Sequence, residues 1–160
     1  MATERLKFKL ELYATMWHRP PHVEVSINEE LKIKQDITGT KEKPDVLEFD
    51  HELSENEKYE LKILRQGKNP NQTIVNEKGD ILKDQLLHIK SIEIDEINIG
   101  TLVYEGIYTP VYPEPWASQQ KQAGNDLAEN FKNAVDMGFN GTWIFTFKSP
   151  FYLWLLENLY

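Results

Sequence analysis

The chain has 160 residues, of which 40% are hydrophobic and 28% charged, the balance of a globular protein with one core. Acidic residues outnumber basic residues by 26 to 18, so the formal net charge is −8. Because the lysines are scattered among acids, this charge disfavours binding to nucleic acid or to an anionic membrane. The absence of cysteine excludes disulfides, thiolate metal sites and cysteine nucleophiles.

The N-terminal segment lacks the pattern of a signal peptide. Its first residues alternate charged and apolar side chains, and no uninterrupted apolar stretch follows them. The longest apolar cluster, at residues 151–156, is far too short to cross a bilayer. We therefore expect no secretion through a signal peptide.

Alternation of apolar and polar side chains, which is typical of β-strands with one buried face, runs through residues 6–100. A turn at Asn28, Glu29 and Glu30 can join the second and third of these strands as a hairpin. The predicted strands in this region are Leu6–Leu12, Val23–Ile27, Leu31–Ile33, Val46–Phe49, Tyr59–Ile63 and Gln85–Ile94.

The strand Gln85–Ile94 carries the strongest signal. Its apolar residues change from odd to even positions between Ile89 and Ile92, which predicts a β-bulge near Lys90 and Ser91. A bulge inserts one extra residue and so allows both sets of apolar side chains to face the same core.

A late strand, Gly141–Lys148, places three aromatic rings on one face. Seven or eight short strands separated by turns predict a mainly β fold, an antiparallel β-sandwich. We expect one domain over residues 1–160. Residues 6–100 would form the sandwich core, and residues 101–160 an aromatic, proline-rich loop, a short helix, the closing strand and a C-terminal apolar helix.

Two segments have helical rather than β periodicity. Residues Asn125–Met137 carry apolar side chains at helical spacing, with Asn125 as a candidate cap and Gly138 as a candidate end. Ser149 and Pro150 are a typical start for a second helix, Phe151–Leu159.

The C-terminal helix is apolar on every face, so all of its sides need cover. One interpretation is that it closes the edge of the sandwich. The other is that it forms a surface for a partner or for self-association. The candidate interface residues are Phe151, Tyr152, Trp154, Leu155 and Tyr160.

The loop Tyr104–Trp116 is rich in prolines, which keep it extended and rigid. Flat aromatic side chains can stack on the C–H face of a sugar ring. The alternative is that these aromatic rings cap the ends of the sandwich. The candidate ligand-binding residues lie in two loops. Trp17 and His18 are in the loop after the first strand, and Tyr108, Tyr112 and Trp116 are in the proline-rich loop.

Oxygen-bearing side chains precede the strongest strand. Calcium takes six to eight oxygen ligands, and Asn69, Asn71, Asp80 and Asp84 could supply several of them. The alternative is a polar turn region in which these side chains form Asx turns without an ion. Calcium is the one cofactor that the residues suggest.

Residues 6–100 resemble the calcium-dependent, xylan-binding carbohydrate-binding modules. The resemblance rests on the strand pair from Val23 to Leu31, the strand Tyr59–Ile63, and the run Asp84-Gln85-Leu86-Leu87, which is similar to the Asp-Arg-Asn-Leu motif of that family. It implies a jelly-roll-like sandwich, a polysaccharide ligand and a calcium-ligating role for Asp84. Gln85 and Leu86 depart from the motif.

A second resemblance is to uncharacterised small proteins of tailed phages that infect marine cyanobacteria. It implies a phage origin and a location in the cytoplasm of the infected host or in the virion. The matching segments are 83–94, Tyr112–Trp116, Asn140–Trp143 and Ser149–Asn158.

Two functions therefore stay open. The first is a non-catalytic binding module for polysaccharide, with or without calcium. The alternative is a structural or assembly protein of a phage particle that associates with itself or with other virion proteins through its C-terminal segment. No nucleotide loop or nucleophile elbow is present, so we do not expect an enzyme.

Overall fold

Two antiparallel sheets pack face to face in the computed structural model, which describes residues 2–68, 73–78 and 80–158. A 3₁₀ helix, Gly100–Glu105, and two α-helices, α1 (Trp116–Gln122) and α2 (Phe151–Asn158), accompany them. The predicted mainly β sandwich is confirmed. The strands are β1 (Thr3–Thr15), β2 (His22–Ile27), β3 (Glu30–Asp36), β4 (Asp45–Ser54), β5 (Lys58–Gln66), β6 (Ile74–Val75), β7 (Ile81–Lys83), β8 (Leu86–Ile94), β9 (Ile97–Asn98), β10 (Ile107–Pro110), β11 (Phe131–Lys132), β12 (Asp136–Met137) and β13 (Gly141–Lys148).

The first sheet has the strand order β12-β8-β1-β4, with β9 paired to β8. The second has the order β11-β10-β13-β5-β2-β3, and β6 and β7 form a separate hairpin. Strand β13 therefore lies inside the second sheet, between β10 and β5. The sandwich uses strands from residues 101–160 as well as from residues 6–100.

The core lies between the inner faces of the two sheets. From β1, Phe8 is fully buried and its ring lies 5.9 Å from that of Phe147 on β13. The other rings of β13, those of Trp143 and Phe145, are also buried. Burying a large apolar side chain stabilises a fold by about 1.5–3 kcal/mol, so these alternating positions supply most of the driving force.

The predicted bulge in β8 is confirmed. Glu11 pairs with Ser91 and Leu12 with Ile89, which leaves Lys90 as the extra residue. The hairpin turn between β2 and β3 is confirmed as well. Its residues Asn28 and Glu29 have φ angles of 47° and 73°, the left-handed values that a two-residue hairpin turn requires.

The predicted helix Asn125–Met137 is wrong. This segment contains the short strands β11 and β12, and its aromatic residue Phe131 is exposed. Pairing with the edge of β8 overrides the helical spacing, because Val135 accepts a hydrogen bond from the amide of Ile89 at 2.8 Å and Asp136 pairs with His88. The helix of this region instead begins at Trp116, where the predicted loop Tyr104–Trp116 ends. That loop also contains β10.

Helix α2 agrees with the predicted C-terminal helix. Phe151 and Leu155 are buried, and the half-buried ring of Trp154 lies 5.7 Å from that of Phe145. Phe151 and Leu155 therefore pack in the core and are not accessible to a partner, whereas Tyr152 is exposed. Tyr160 lies outside the described residues. None of the helices in the described ranges has the length and apolarity to span a bilayer.

Glu4 of β1 holds the start of α2. Its carboxylate accepts hydrogen bonds from the backbone N–H of Phe151 at 2.8 Å and from the hydroxyl of Ser149. A carboxylate at this end satisfies a helix N–H that has no partner within the helix.

We expect Glu4→Ala to lower the free energy of unfolding by about 1–3 kcal/mol, because it removes two hydrogen bonds to a charged acceptor. Urea unfolding monitored by circular dichroism measures the change. Glu42→Ala, at an exposed position, is the control and should change stability by less than about 0.5 kcal/mol. Equal stability of the two variants would contradict the assigned role of Glu4.

Candidate functional site

A cleft with a volume of about 710 Å³ opens at one end of the sandwich. Three parts of the chain form its walls: the β6–β7 hairpin, the segment 111–116 that leads into α1, and the segment 138–140 that leads into β13. Lys68 and Asp84 lie at its floor, beside the end of β5 and the start of β8. Pockets of this size are typical of small-ligand sites.

Aromatic rings form one wall of the cleft. The rings of Trp116 and Phe139 are 5.5 Å apart, and that of Tyr112 lies 6.0 Å from the first and 5.0 Å from the second. Trp116 remains 37% exposed. The β6–β7 hairpin contributes the exposed apolar side chains of Val75 and Ile81 to the same cleft. A flat apolar face with open space before it can take the C–H face of a sugar ring.

Tyr108 was predicted to contact a ligand but is almost fully buried. Its hydroxyl donates to the carbonyl of Phe139 at 2.5 Å and accepts from the amide of the same residue at 2.9 Å. Burial raises the pKa of Tyr108 to about 12. The side chain therefore fixes Phe139 in the aromatic wall from behind and does not itself face the cleft.

The floor of the cleft is a hydrogen-bonded cluster around Asp84. Its Oδ1 accepts from Nζ of Lys68 at 2.5 Å, from the hydroxyl of Thr73 at 2.7 Å and from the amide of Gln85 at 2.8 Å. Nζ of Lys68 also donates to the carbonyl of Gly138. Burial lowers the pKa of Lys68, while the hydrogen bond and the charge of Asp84 act in the opposite direction.

Arg65 and Asn140 support this floor. The guanidinium of Arg65 is fully buried and donates to Oδ1 of Asn140 at 2.8 Å and to the carbonyl of Gln85 at 2.7 Å. Asn140 in turn accepts from the amide of Lys68 at 3.0 Å and donates to its carbonyl at 3.1 Å. Burial lowers the pKa of Arg65 to about 10, which leaves it charged at neutral pH.

Sequence reasoning missed four residues of this site: Arg65, Lys68, Phe139 and Asn140. Only Arg65 left a signal. It continues the inward-facing positions of β5 after Tyr59, Leu61 and Ile63, and a charge on an apolar face needs a buried partner.

The remaining predicted ligand residues are divided between the cleft and its surroundings. Trp116 lines the cleft, and Tyr112 lies beside it with its hydroxyl donating to the carbonyl of Ala128 at 2.5 Å. Trp17 and His18 pack against each other in the connection between β1 and β2, outside the cleft lining. The ammonium of Lys83 lies 4.3 Å above the Trp17 ring.

The predicted calcium ligands do not form a cluster in the parts of the chain that the structure describes. Asp80 accepts from the side-chain amide of Asn76, and the side chain of Asn76 accepts from the backbone N–H of Asp80 at 2.9 Å. Oδ1 of Asn76 also accepts from the backbone N–H of Lys78 at 2.9 Å, which forms an Asx turn at a residue other than the predicted ligands. Asn69 and Asn71 lie outside the described residues. Within the described ranges, no three His, Asp or Glu residues lie close enough together to hold a metal ion.

A hydroxyl–imidazole–carboxylate chain lies on the first sheet, away from the cleft. Nε2 of His88 is 2.8 Å from the hydroxyl of Thr15, and its Nδ1 is 2.6 Å from Asp136. Such a chain also occurs in hydrolases. Here the His88 ring is buried under Tyr13, at 4.5 Å, and the three residues come from neighbouring strands. We interpret these hydrogen bonds as contacts that stabilise the pairing of the three strands.

A second groove, of about 600 Å³, lies between β10, β13 and α2. Glu60, Glu105 and Trp154 are among its lining residues. The Trp154 ring is engaged with Phe145 and Phe151 of the core, so this groove has less aromatic surface to offer than the cleft at Trp116.

Comparison with known proteins gives a structural likeness and no likeness in sequence. No family model matches the chain, and no curated protein does. A solved structure, the selenomethionine form of vCBM60, aligns with a TM-score of 0.51 and 8% identity over 88% of this chain and 89% of that one. That structure is described within a study of circular permutation between two families of calcium-dependent carbohydrate-binding modules. The chain therefore has a fold that resembles a carbohydrate-binding module.

The residues at the cleft floor do not fit a calcium ion bound directly to Oδ1 of Asp84. That oxygen already accepts three hydrogen bonds, one of them from the ammonium of Lys68. A cation there would meet a second positive charge at close range.

The double hydrogen bond of Tyr108 leads to a stability prediction. We expect Tyr108→Phe to lower the free energy of unfolding by about 1–3 kcal/mol, because the partly buried amide and carbonyl of Phe139 both lose their phenol partner. Urea unfolding measures the change. Tyr104→Phe, at an exposed tyrosine, is the matched control and should be nearly neutral. Equal stability of the two variants would show that the hydroxyl of Tyr108 does not hold Phe139 in place.

Proposed function

We propose that this chain is a non-catalytic carbohydrate-binding module that holds a sugar chain in the cleft beside Trp116. One observation carries the proposal: Trp116, which is 37% exposed, and the fixed polar side chains of Lys68, Asp84 and Asn140 line the same open cleft. The likeness of the fold to a carbohydrate-binding module supports it.

The aromatic wall and the polar floor suit the C–H groups and the hydroxyls of a sugar, respectively. A pyranose ring presents C–H groups that bury apolar area against an aromatic ring. Its hydroxyls are donors and acceptors at once, and the floor offers the ammonium of Lys68 as donor and Oδ2 of Asp84 as acceptor, since Oδ1 of Asp84 and Oδ1 of Asn140 already accept hydrogen bonds within the floor. Lys68 is paired with Asp84, and the carboxylate of Glu114 on the aromatic side accepts from the Ser118 hydroxyl at 2.5 Å. This balance of charges favours a neutral polysaccharide over an acidic one.

Retardation in gels that contain soluble polysaccharide tests the proposal. We expect at least one neutral polysaccharide from a panel of xylans, mannans and glucans to retard the intact chain. Trp116→Ala should weaken this binding at least about tenfold, which corresponds to about 1.4 kcal/mol of lost stacking.

Tyr152→Ala removes an exposed aromatic ring that is not part of the cleft lining and is the matched control. No retardation of the intact chain by any polysaccharide would overturn the proposed function. Retardation that is unchanged in Trp116→Ala would show that the sugar binds elsewhere. The groove at Trp154 would then be the next candidate site.

A second candidate function, assembly with further copies of the chain, has one observation in its favour. Leu153 and Leu156 of α2 are 55% and 60% exposed, next to Tyr152 at 45%. An apolar helix face of this kind can pair with the same face of another copy around a two-fold axis. The phage origin and the location in a virion or in the cytoplasm of an infected host belong to this proposal.

We expect the assembly function to show as a dimer or larger oligomer of the intact chain in size-exclusion chromatography with light scattering. The double variant Leu153→Glu, Leu156→Glu should then be a folded monomer, because each copy would bring two carboxylates to the shared face. Leu31→Glu, at another exposed leucine, should leave the oligomer intact. An intact chain that is monomeric at all concentrations would exclude this candidate.

A further inference from the structure

We propose that the ammonium of Lys68 takes the position of a bound cation at the floor of the cleft, so that the chain recognises sugar hydroxyls without calcium. The inference rests on the proposed function and concerns the same site. It separates this chain from the calcium-dependent modules whose fold it resembles.

The ammonium of Lys68 has contacts of the kind that a bound metal cation would make. Nζ of Lys68 lies 2.5 Å from a carboxylate oxygen of Asp84 and is also bonded to the backbone carbonyl of Gly138. Carboxylate and carbonyl oxygens are the ligand types that calcium takes in proteins. In this cleft a carboxylate oxygen and a carbonyl oxygen both bind the ammonium of Lys68 in place of a metal ion.

The lysine is fixed from its backbone outward. Its amide and carbonyl are both hydrogen-bonded to the side chain of Asn140, which Arg65 holds in turn. Its own side chain is only 11% exposed. A donor held in this way loses little conformational entropy when a ligand binds.

The local charge balance also opposes a divalent ion. Among the described residues of the floor, two cationic side chains, Arg65 and Lys68, face one carboxylate, that of Asp84. The carboxylate of Glu114 lies on the aromatic side and is bonded to Ser118. A calcium ion at Asp84 would have to displace the ammonium or sit against it.

The ammonium keeps one donor for a ligand. Of its three N–H bonds, two point to Asp84 and Gly138, and within the described part of the chain the third has no hydrogen-bond partner. Nζ lies 5.7 Å from the centre of the Phe139 ring, which places it beside the aromatic wall. A sugar stacked on that wall would bring a hydroxyl oxygen within reach of this donor.

The test combines metal removal with substitution of the lysine. Melting temperature and retardation by polysaccharide are measured for the intact chain in excess EDTA and in millimolar calcium chloride. We expect neither quantity to change, because no ion is lost or gained at Asp84. Lys68→Met, which keeps much of the length but removes the charge, should weaken retardation at least tenfold in both solutions.

Lys68→Arg is the conservative variant and should retain part of the binding. Lys148→Met, at an exposed lysine outside the cleft, should retain all of it. Circular dichroism establishes that each variant is folded, and the comparison of EDTA with calcium on the intact chain needs no variant.

The outcomes separate this inference from the proposed function. Retardation lost in EDTA and restored by calcium would overturn the inference and leave the module intact. Calcium that raises the melting temperature by mass action in the intact chain, but not in Asp84→Asn, would overturn it even if no polysaccharide binds. Full binding by Lys68→Met would overturn it as well. Absence of any polysaccharide ligand would overturn the proposed function and, with it, the recognition of sugar hydroxyls by Lys68, whereas a melting temperature indifferent to calcium would still support the replacement of the ion by the ammonium at Asp84.

Discussion

The buried guanidinium of Arg65 is the interaction on which the cleft depends. It comes from β5 in the second sheet and reaches the carbonyl of Gln85, which precedes β8 in the first. Its other hydrogen bond goes to Asn140, immediately before β13. Burial of a charge is costly, and a hydrogen bond to a charged group contributes about 1.5–3 kcal/mol. The two sheets are thus held together at this end by a contact that tolerates little displacement.

The network extends from Arg65 across the cleft floor to the segment 138–140. Asn140 fixes the backbone of Lys68, and Lys68 joins Asp84 to Gly138. The side chain of Gln85 donates to the carbonyl of Arg19, which ties the loop after β1 to the same cluster. Polar groups that are held before a ligand arrives do not have to be ordered by it, so the cleft is preorganised.

Much of the sandwich could be predicted because its signals are local. Alternation along β1, β2, β5 and β13 marks the buried face, and the change of phase around Lys90 marks the bulge in β8. The segment Asn125–Met137 shows where local signals fail. Its helical spacing would bury one face, but the free edge of β8 offers hydrogen bonds that a helix at this position would leave unmade.

The site itself was only partly predictable because its contacts join distant residues. Asp84 and Trp116 were both named from the sequence, for different ligands, and the fold places them around one cleft. The partner that changes the role of Asp84 is Lys68, sixteen residues earlier. A lysine in a polar loop carries no sign of where its ammonium will lie. Only the packing of β5 beside β13, which brings Lys68 against Asn140, determines it.

Two tryptophans show why the aromatic residues divide between core and cleft. Trp143 lies on the inner face of an internal strand, and its ring packs so close to Gly106 that a Cβ there would come within 2.2 Å of it. Trp116 begins α1 directly after Pro115, where no sheet face is available to cover it. Its ring stays partly exposed and lines the cleft together with the fixed polar side chains of the floor. The proposed binding of a sugar therefore depends on the segment that departs from the β pattern, with the sandwich as its rigid support.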